Sequence, residues 1–322
     1  MKSYKQLTLE QRYQISPLLK LGYSQTAIAT ELGVHKSTIG RELKRNLSKR
    51  GYRPKYADRI AVSRRQEKVK PRISKQIWAE IEADLEQLWS PEQISGRRSV
   101  EGRQKVSHEW IYQHIYRDKL NQGNLYKHLR CQKKRKKRYG SYSNRGVWKN
   151  QTNIALRPEI VEQKSRIGDW ETDTIIGKGH RQAIVSIVDR KSKLLRMQKV
   201  QHKTGELVQA VICYELDGLT VHTLTSDNGR EFSEHQKIAE NLKAKFYFCN
   251  PYSSWERGVN ENTNGLIRQY FPKHLEFATI TDERIKAVED LLNNRPRKTL
   301  GYQTPIEVYF KEQEQSKVAL TT

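Results

Sequence analysis

The chain has 322 residues, room for two or three domains of ordinary size. Lys and Arg number 60 against 36 Asp and Glu, a net charge of +24, and the mean hydropathy is −0.87. No apolar run approaches the ~18 residues of a membrane span, so none is expected. Cys131, Cys213 and Cys249 are odd in number and far apart, which argues against a disulfide framework and for a reducing compartment. Met1–Lys5 leads into no apolar segment, so no secretory signal is expected and a cytoplasmic protein is.

The charge is one-sided. Residues 1–165 carry +22 and residues 166–322 only +2. A basic half joined to a near-neutral half implies a polyanion bound by the first and a different task for the second. The plainer readings are a basic surface with no partner, or an anionic membrane surface, for which no strongly amphipathic basic helix stands out.

Thr8 to Leu21 reads as a helix with a kink or early break at Pro17, ended by Gly22. Ser24 caps a second helix to Leu32, Gly33 turns the chain, and a third helix runs from Lys36 to Asn46. Ala29, Gly33 and Ile39 fall where a helix-turn-helix needs a small residue, a tight turn and a core contact. Ile28, Leu32, Val34, Ile39 and Leu43 close a small core. Lys36, Ser37, Thr38, Arg41, Lys44 and Arg45 are left for phosphates and base edges, the composition of a recognition helix. A hairpin used for protein contacts is the alternative.

Residues 51–72 read as a basic linker that is helix-forming from Tyr56 to Lys70. A second helical unit follows: Ile77, Ile81, Leu85 and Leu88 recur at helical spacing, Ser90-Pro91 starts another helix, and Ser107 caps a third. On that last helix His108, Tyr112 and Arg117 are candidate DNA contacts, if this is a second helix-turn-helix and not a plain helical spacer. His108 and His114 lie six apart, poor spacing for zinc with His128 and Cys131. Arg130 to Arg138 packs seven cations into nine residues, Lys133, Lys134 and Arg135 among them, a run that is solvated unless it lies along DNA.

From Arg166 the pattern becomes strands at 167–176, 183–188, 194–200, 221–226 and 245–249, with helices at 204–216, 233–242 and 255–270. That order describes a mixed α/β sheet covered by helices. Three carboxylates mark it: Asp173 in the first strand, Asp227 where Asn228-Gly229 stops the fourth, and Glu261 in the last helix. On that helix Arg257, Asn264, Gly265 and Arg268 fall within roughly 60° of Glu261, opposite Val259, Leu266, Ile267 and Tyr270. Gly258 and Gly265, poor helix formers, leave room there for a bulky ligand. Three carboxylates beside cations suit two-metal phosphoryl transfer, because hard Mg²⁺ prefers carboxylate oxygens, with Arg257 and Arg268 holding the substrate's non-bridging oxygens and Asn264 a further candidate DNA contact. Scattered carboxylates that merely cap or solvate are the alternative. Glu171 either orients Asp173 or a metal-bound water, or faces solvent, and Lys178 and His180 either touch DNA or form a turn.

Residues 167–189, 222–232 and 250–273 resemble the catalytic core of DDE transposases and retroviral-type integrases, which have the RNase H-like fold. The Trp-Glu-x-Asp strand, the Asp-Asn-Gly-x-Glu-Phe segment and the stretch from Trp255 to Lys273 are most similar to insertion-sequence transposases of the IS-thirty family. Thr172 and Ser254 stand where many members have Gly and Pro, and neither is a triad position. The resemblance, from about Leu7 to Pro305, implies a metal-binding catalytic triad of Asp173, Asp227 and Glu261, with Arg268 on DNA and Asn264 as a supporting amide. It also implies two Mg²⁺ per site (Mn²⁺ able to substitute), binding of double-stranded terminal inverted repeats and target DNA, strand cleavage and transfer, and at least a dimer on the nucleoid. Rival functions are a sequence-specific repressor and a structure-specific nuclease. The expected organisation is a helix-turn-helix domain at 1–50, the linker at 51–72, a second helical domain at 73–130, a basic linker at 131–160, the catalytic core at 161–315 and a tail at 316–322. Tyr302–Ile306, after Arg295-Pro296-Arg297, is expected to pack and not to catalyse.

Overall fold

The computed structural model describes residues 6–68, 72–130, 151–179, 182–251 and 253–319. Lys133, Lys134, Arg135 and His180, and most of the expected linker at 131–160, lie outside them. The chain divides into two compact units, Met1–Ser74 and Lys75–Thr322.

In the first unit α1 (Leu9–Lys20), α2 (Gln25–Glu31) and α3 (Lys36–Asn46) close over Ile15, Ile28, Ala29 and Ile39, all buried. Pro17 stays inside α1. The stretch expected as a linker with helix-forming residues from Tyr56 to Lys70 carries a helix, α4 (Pro54–Lys68), packed on α1 and α3. Its grip is polar. Buried Arg12 donates to Glu42 at 2.9 Å and to Asp58 at 2.8 Å, and Arg64 donates to Asn46 at 3.0 Å. A helix held by polar contacts lacks the apolar stripe by which packing is read from sequence.

The second unit begins with α5 (Lys75–Glu86), α6 (Pro91–Val100) and α7 (His108–Leu120). These helices belong to the same unit as the sheet. After α8 (Glu159–Gln163) come β1 (Asp169–Ile176), β2 (Ala183–Asp189) and β3 (Leu195–Val200), then α9 (Gly205–Leu216), β4 (Thr223–Ser226), α10 (His235–Asn241), β5 (Lys245–Phe248) and α11 (Gly258–Tyr270). Two further helices, α12 (Asp282–Asn293) and α13 (Pro305–Ala319), end the described chain. The strands form one sheet in the order β3-β2-β1-β4-β5, antiparallel through β1–β2–β3 and parallel through β1–β4–β5. β2 is buried along its whole length, as a central strand with both faces covered must be. One face packs Trp170, Leu224, Phe232 and Phe248 with α9 and α10. The other packs Ile175, Ile184 and Met197 with α11 and α12. Among the described residues no helix is long and apolar enough to cross a membrane.

The seam between α6 and the end of the chain is built from charge and close approach. A side chain on Gly96 would strike the Tyr302 ring, so only glycine lets α6 this near. Arg97 grips Glu307 with two hydrogen bonds, 2.7 and 2.5 Å, and Lys298 pairs with Glu92 at 2.6 Å. Arg97 holds the Glu307 carboxyl down from about 4.5 to about 2. A depressed carboxyl contributes stability that is complete above about pH 4.5 and is lost as the pH falls through about 2. Thermal unfolding of Glu307→Gln should therefore begin below wild type at neutral pH, and the gap should close across that window. A gap that persists at pH 2 would mean the pair does not anchor α6.

Candidate active site

Strand register brings the first two carboxylates together. β1 pairs with β4 as Asp169 with Thr223 and Glu171 with Thr225, so two residues further on Asp173 stands beside Asp227. Asp227 is the first residue after β4, and its carboxylate accepts the Gly229 N–H at 2.9 Å, which shapes the turn. A side chain on Gly229 would strike the Glu231 carboxylate folded beneath it. That buried carboxylate takes the Thr174 hydroxyl at 2.8 Å and Lys203 at 2.7 Å, tying the turn to β1.

One guanidinium lies between the two aspartates. Arg257, at the start of α11, approaches Asp173 to 3.3 Å and Asp227 to 3.5 Å. Burial pulls its pKa down, but the two carboxylates outweigh burial and leave it above its ordinary value. Burial raises the Asp173 pKa despite Arg257, with Asp227 adding to the rise. On its other side Asp173 accepts the Asn264 amide at 2.9 Å. The Asn264 oxygen accepts in turn from Ser186, which pairs with Asp173 across the β1–β2 ladder. Asn264 thus reads as a strut for Asp173.

Glu171 neither faces solvent nor touches Asp173. It is fully buried, and its Oε2 accepts the backbone N–H of Asn260 at 2.9 Å. Asn260 lies in the first turn of α11, whose own cap residue, Arg257, makes no side-chain capping bond. Glu171 therefore caps from β1 the helix that carries Glu261, where negative charge also suits the helix dipole. Its other oxygen lies 3.4 Å from buried Arg190. Burial pushes its pKa up against Arg190 and the Asn260 N–H. The pattern of alternation places Glu171 and Asp173 on one face of β1, but the capping partner, 89 residues away, leaves no local signal.

The rest of the expected site is spread out. Glu261 is exposed on α11, between the two residues that touch Asp173, four after Arg257 and three before Asn264. Among the described residues no three His, Cys, Asp or Glu side chains form a group able to hold a metal ion. The carboxylates of Asp173 and Asp227 do present hard oxygens about one positive charge, a donor set that suits Mg²⁺. Arg268 is turned inward onto the carbonyls of Ile176 and Phe271, and burial lowers its pKa. Lys178 is exposed in the turn after β1. Trp255, 74% exposed beside Arg257, is an aromatic surface that the sequence motif contained without a role.

In the first unit Lys36, Arg41, Lys44 and Arg45 are exposed on α3, with Ser37 and Thr38 half-buried. His35 caps α3, and Arg41 folds back onto Ser37. A cleft of ≈280 Å³ beside α3 is lined by Thr38, Arg41, Arg45, Arg64 and Arg65. On α7 His108 and Arg117 are exposed and Tyr112 is half-buried, while His114 turns inward, stacked on Trp78 at 3.9 Å and paired with Glu82.

A family profile described as a helix-turn-helix domain matches residues 3–46. Over 99% of its length the chain is 46% identical to the transposase for insertion sequence element IS4351 of Bacteroides fragilis, itself covered over 99%. It is 35% identical to the transposase for insertion sequence element IS1086 of Cupriavidus metallidurans, over 95% of this chain and 94% of that one. It is 37% identical to the transposase InsI for insertion sequence element IS30A of Escherichia coli, over 94% and 82%. Among solved structures it is similar to the catalytic core domain of BIV integrase, with a TM-score of 0.38 and 22% identity over 47% of this chain and 98% of that one. With identity running end to end in its relatives, the chain belongs to the IS30 family of insertion-sequence transposases.

Proposed function

We propose that this transposase binds the terminal inverted repeats of its element in double-stranded DNA, cuts there, and joins the freed ends to target DNA. The observation that carries this reading is the pair Asp173 and Asp227, on neighbouring parallel strands and within 3.5 Å of one guanidinium, under a helix that presents Glu261. Asp173, Asp227 and Glu261 would hold two Mg²⁺ per site (or Mn²⁺), which supply charge stabilisation at the attacking and leaving oxygens. Asn264 and Ser186 fix the Asp173 carboxylate, and Arg257 keeps the two aspartates together against their repulsion. Water and then a 3′-hydroxyl are the nucleophiles, with no covalent protein–DNA bond. Lys36, Ser37, Thr38, Arg41, Lys44 and Arg45 read the repeat. His108, Tyr112, Arg117, Lys178, Arg268 and the Lys133–Arg135 run belong to further DNA contacts. Two ends held together require at least a dimer, acting in the cytoplasm on the nucleoid.

Labelled DNA from the regions flanking the gene tests this, incubated with the protein with and without Mg²⁺. Metal-dependent cuts beside an inverted repeat are expected, with joining to target DNA. Asp227→Asn, which loses the charge that holds the ion, should abolish cutting and leave DNA affinity unchanged. Tight binding without cutting in Mg²⁺ or Mn²⁺ would make the protein a repressor, and cutting without joining a nuclease.

The cap from β1 to α11 yields a second expectation. Glu171→Ala leaves the buried Asn260 N–H unpaired, at a cost of about 1–3 kcal/mol. Cutting should fall far more than DNA affinity, because α11 carries Glu261. Glu171→Gln keeps an acceptor and should restore most of the melting temperature. Equal loss in both variants would mean that charge beside Arg190, and not the cap, is what matters.

A further inference from the structure

The Arg295-Pro296-Arg297 segment, expected only to pack, holds two cations with no acid. Arg295 is 2% exposed and Arg297 9% exposed. Arg295 donates to the amide oxygens of Gln93 at 3.1 Å and Gln269 at 3.0 Å, and Arg297 to the Leu292 carbonyl at 3.0 Å. All three acceptors are neutral, and among the described residues neither arginine makes an ion pair. The Arg297 Nε and the Tyr270 hydroxyl are buried without any partner among the described residues. A third guanidinium converges on them. Arg130, the first cation of the basic run, lies 3.2 Å from where a side chain on Gly265 would begin. Burial pushes Arg295 down to about 10, with Arg130 adding to the fall. Burial, Arg295 and Arg130 push Arg297 down to about 9.

A buried cation is costly unless an anion answers it. Here the fold leaves the charge unanswered and donors unused, beside a glycine that keeps the helix surface open. The guanidinium fork suits phosphate oxygens, which accept two parallel N–H bonds. Gly265 follows Asn264, whose amide holds Asp173, so an anion at this point lies along the same helix as Glu261. We propose that Arg130, Arg295, Arg297 and the Tyr270 hydroxyl form a binding site for a backbone phosphodiester of the DNA strand that crosses α11 at Gly265, a phosphate other than the one attacked. This rests on the transposase reading, which supplies the DNA. Gln93 of α6 donates to the Pro296 carbonyl at 2.7 Å and accepts from Arg295, so the phosphate would sit at the seam between the helical segment and the sheet.

The test measures binding of the full-length protein to a duplex from the flanks of its gene over a salt series. Arg130→Gln, at an exposed position, should lower the slope of log affinity against log salt by about 0.9, the loss of one phosphate contact. Arg297→Gln should do the same and, without DNA, should melt no lower than wild type, because it removes an unanswered buried charge. A neutral methylphosphonate at one position of the duplex should weaken wild type and leave Arg130→Gln indifferent. Unchanged slopes in both variants, with DNA still bound and cut, would overturn the site and leave the transposase reading standing. A lower melting point of Arg297→Gln together with an unchanged slope would make these arginines structural. Inorganic phosphate that raises the melting temperature of wild type but not of Arg297→Gln, with duplex slopes unchanged, would assign the site to a free anion and overturn the DNA assignment. A wild-type protein that binds no DNA would remove the proposal together with the reading beneath it.

Discussion

Two carboxylates placed side by side on a sheet repel one another, and the second unit is organised around that conflict. At 4 Å two unit charges interact by about 4 kcal/mol at an effective dielectric of 20, a large share of the stability of any domain. The parallel register of β1 and β4 sets Asp173 beside Asp227, and Arg257 answers both. Arg257 is able to do so because α11 starts where it does, and α11 starts there because Glu171 receives its first turn. Sheet register, helix position and charge balance are therefore one constraint. Shifting β1 by one residue would turn both Glu171 and Asp173 to the opposite face and uncap the helix in the same move.

The same solution, a buried charge answered from another element, recurs elsewhere in the chain. Arg12 joins three helices of the first unit through Glu42 and Asp58. Arg196 links β3 to Glu289 of α12 and to Glu215 of α9. Such pairs add little net stability over apolar packing, but breaking one leaves an unanswered charge, so they specify position strongly. For a chain with 35% hydrophobic residues, this is how helices are held in register without a larger core.

That balance explains what could be read from the sequence. Elements with an apolar rhythm or a capping residue were legible: α3 runs from Lys36 to Asn46 as its pattern implies, and the five strands lie within a few residues of their apolar runs. The apolar face of α11, with Val259, Leu266 and Ile267 buried, was legible by angle alone. Polar attachments were not. Helix α4 read as a helix-forming linker because its anchors are an ion pair and a hydrogen bond. Arg257 and Arg268 read as a face shared with Glu261, but that one pairs with the aspartates and the other donates to carbonyls left no mark in the pattern. Glu171 was ambiguous because its partner is distant in sequence. Periodicity reports which face is dry, but not which charges a dry face has recruited.

Helix α11 shows why those recruited charges concentrate here. Its first turn is capped by one buried acid and carries the guanidinium that pairs two more, so that end is crowded with negative charge. Its last turns meet Arg295 through Gln269 and run beside Arg130 and Arg297, a positive end. The helix dipole favours this order, acids at the N-terminus and bases at the C-terminus. A polyanion lying along such a helix meets repulsion at one end and attraction at the other. At the proposed phosphate site it would be held by the arginines and kept off the carboxylates until something positive stood between them. Nearly all of the excess charge lies in residues 1–165, so on the proposed function the attraction of DNA would be the work of the first half. The second half, near neutral in sum, is polarised along one helix, and on the proposed function that polarity would set where a strand rests once it has arrived.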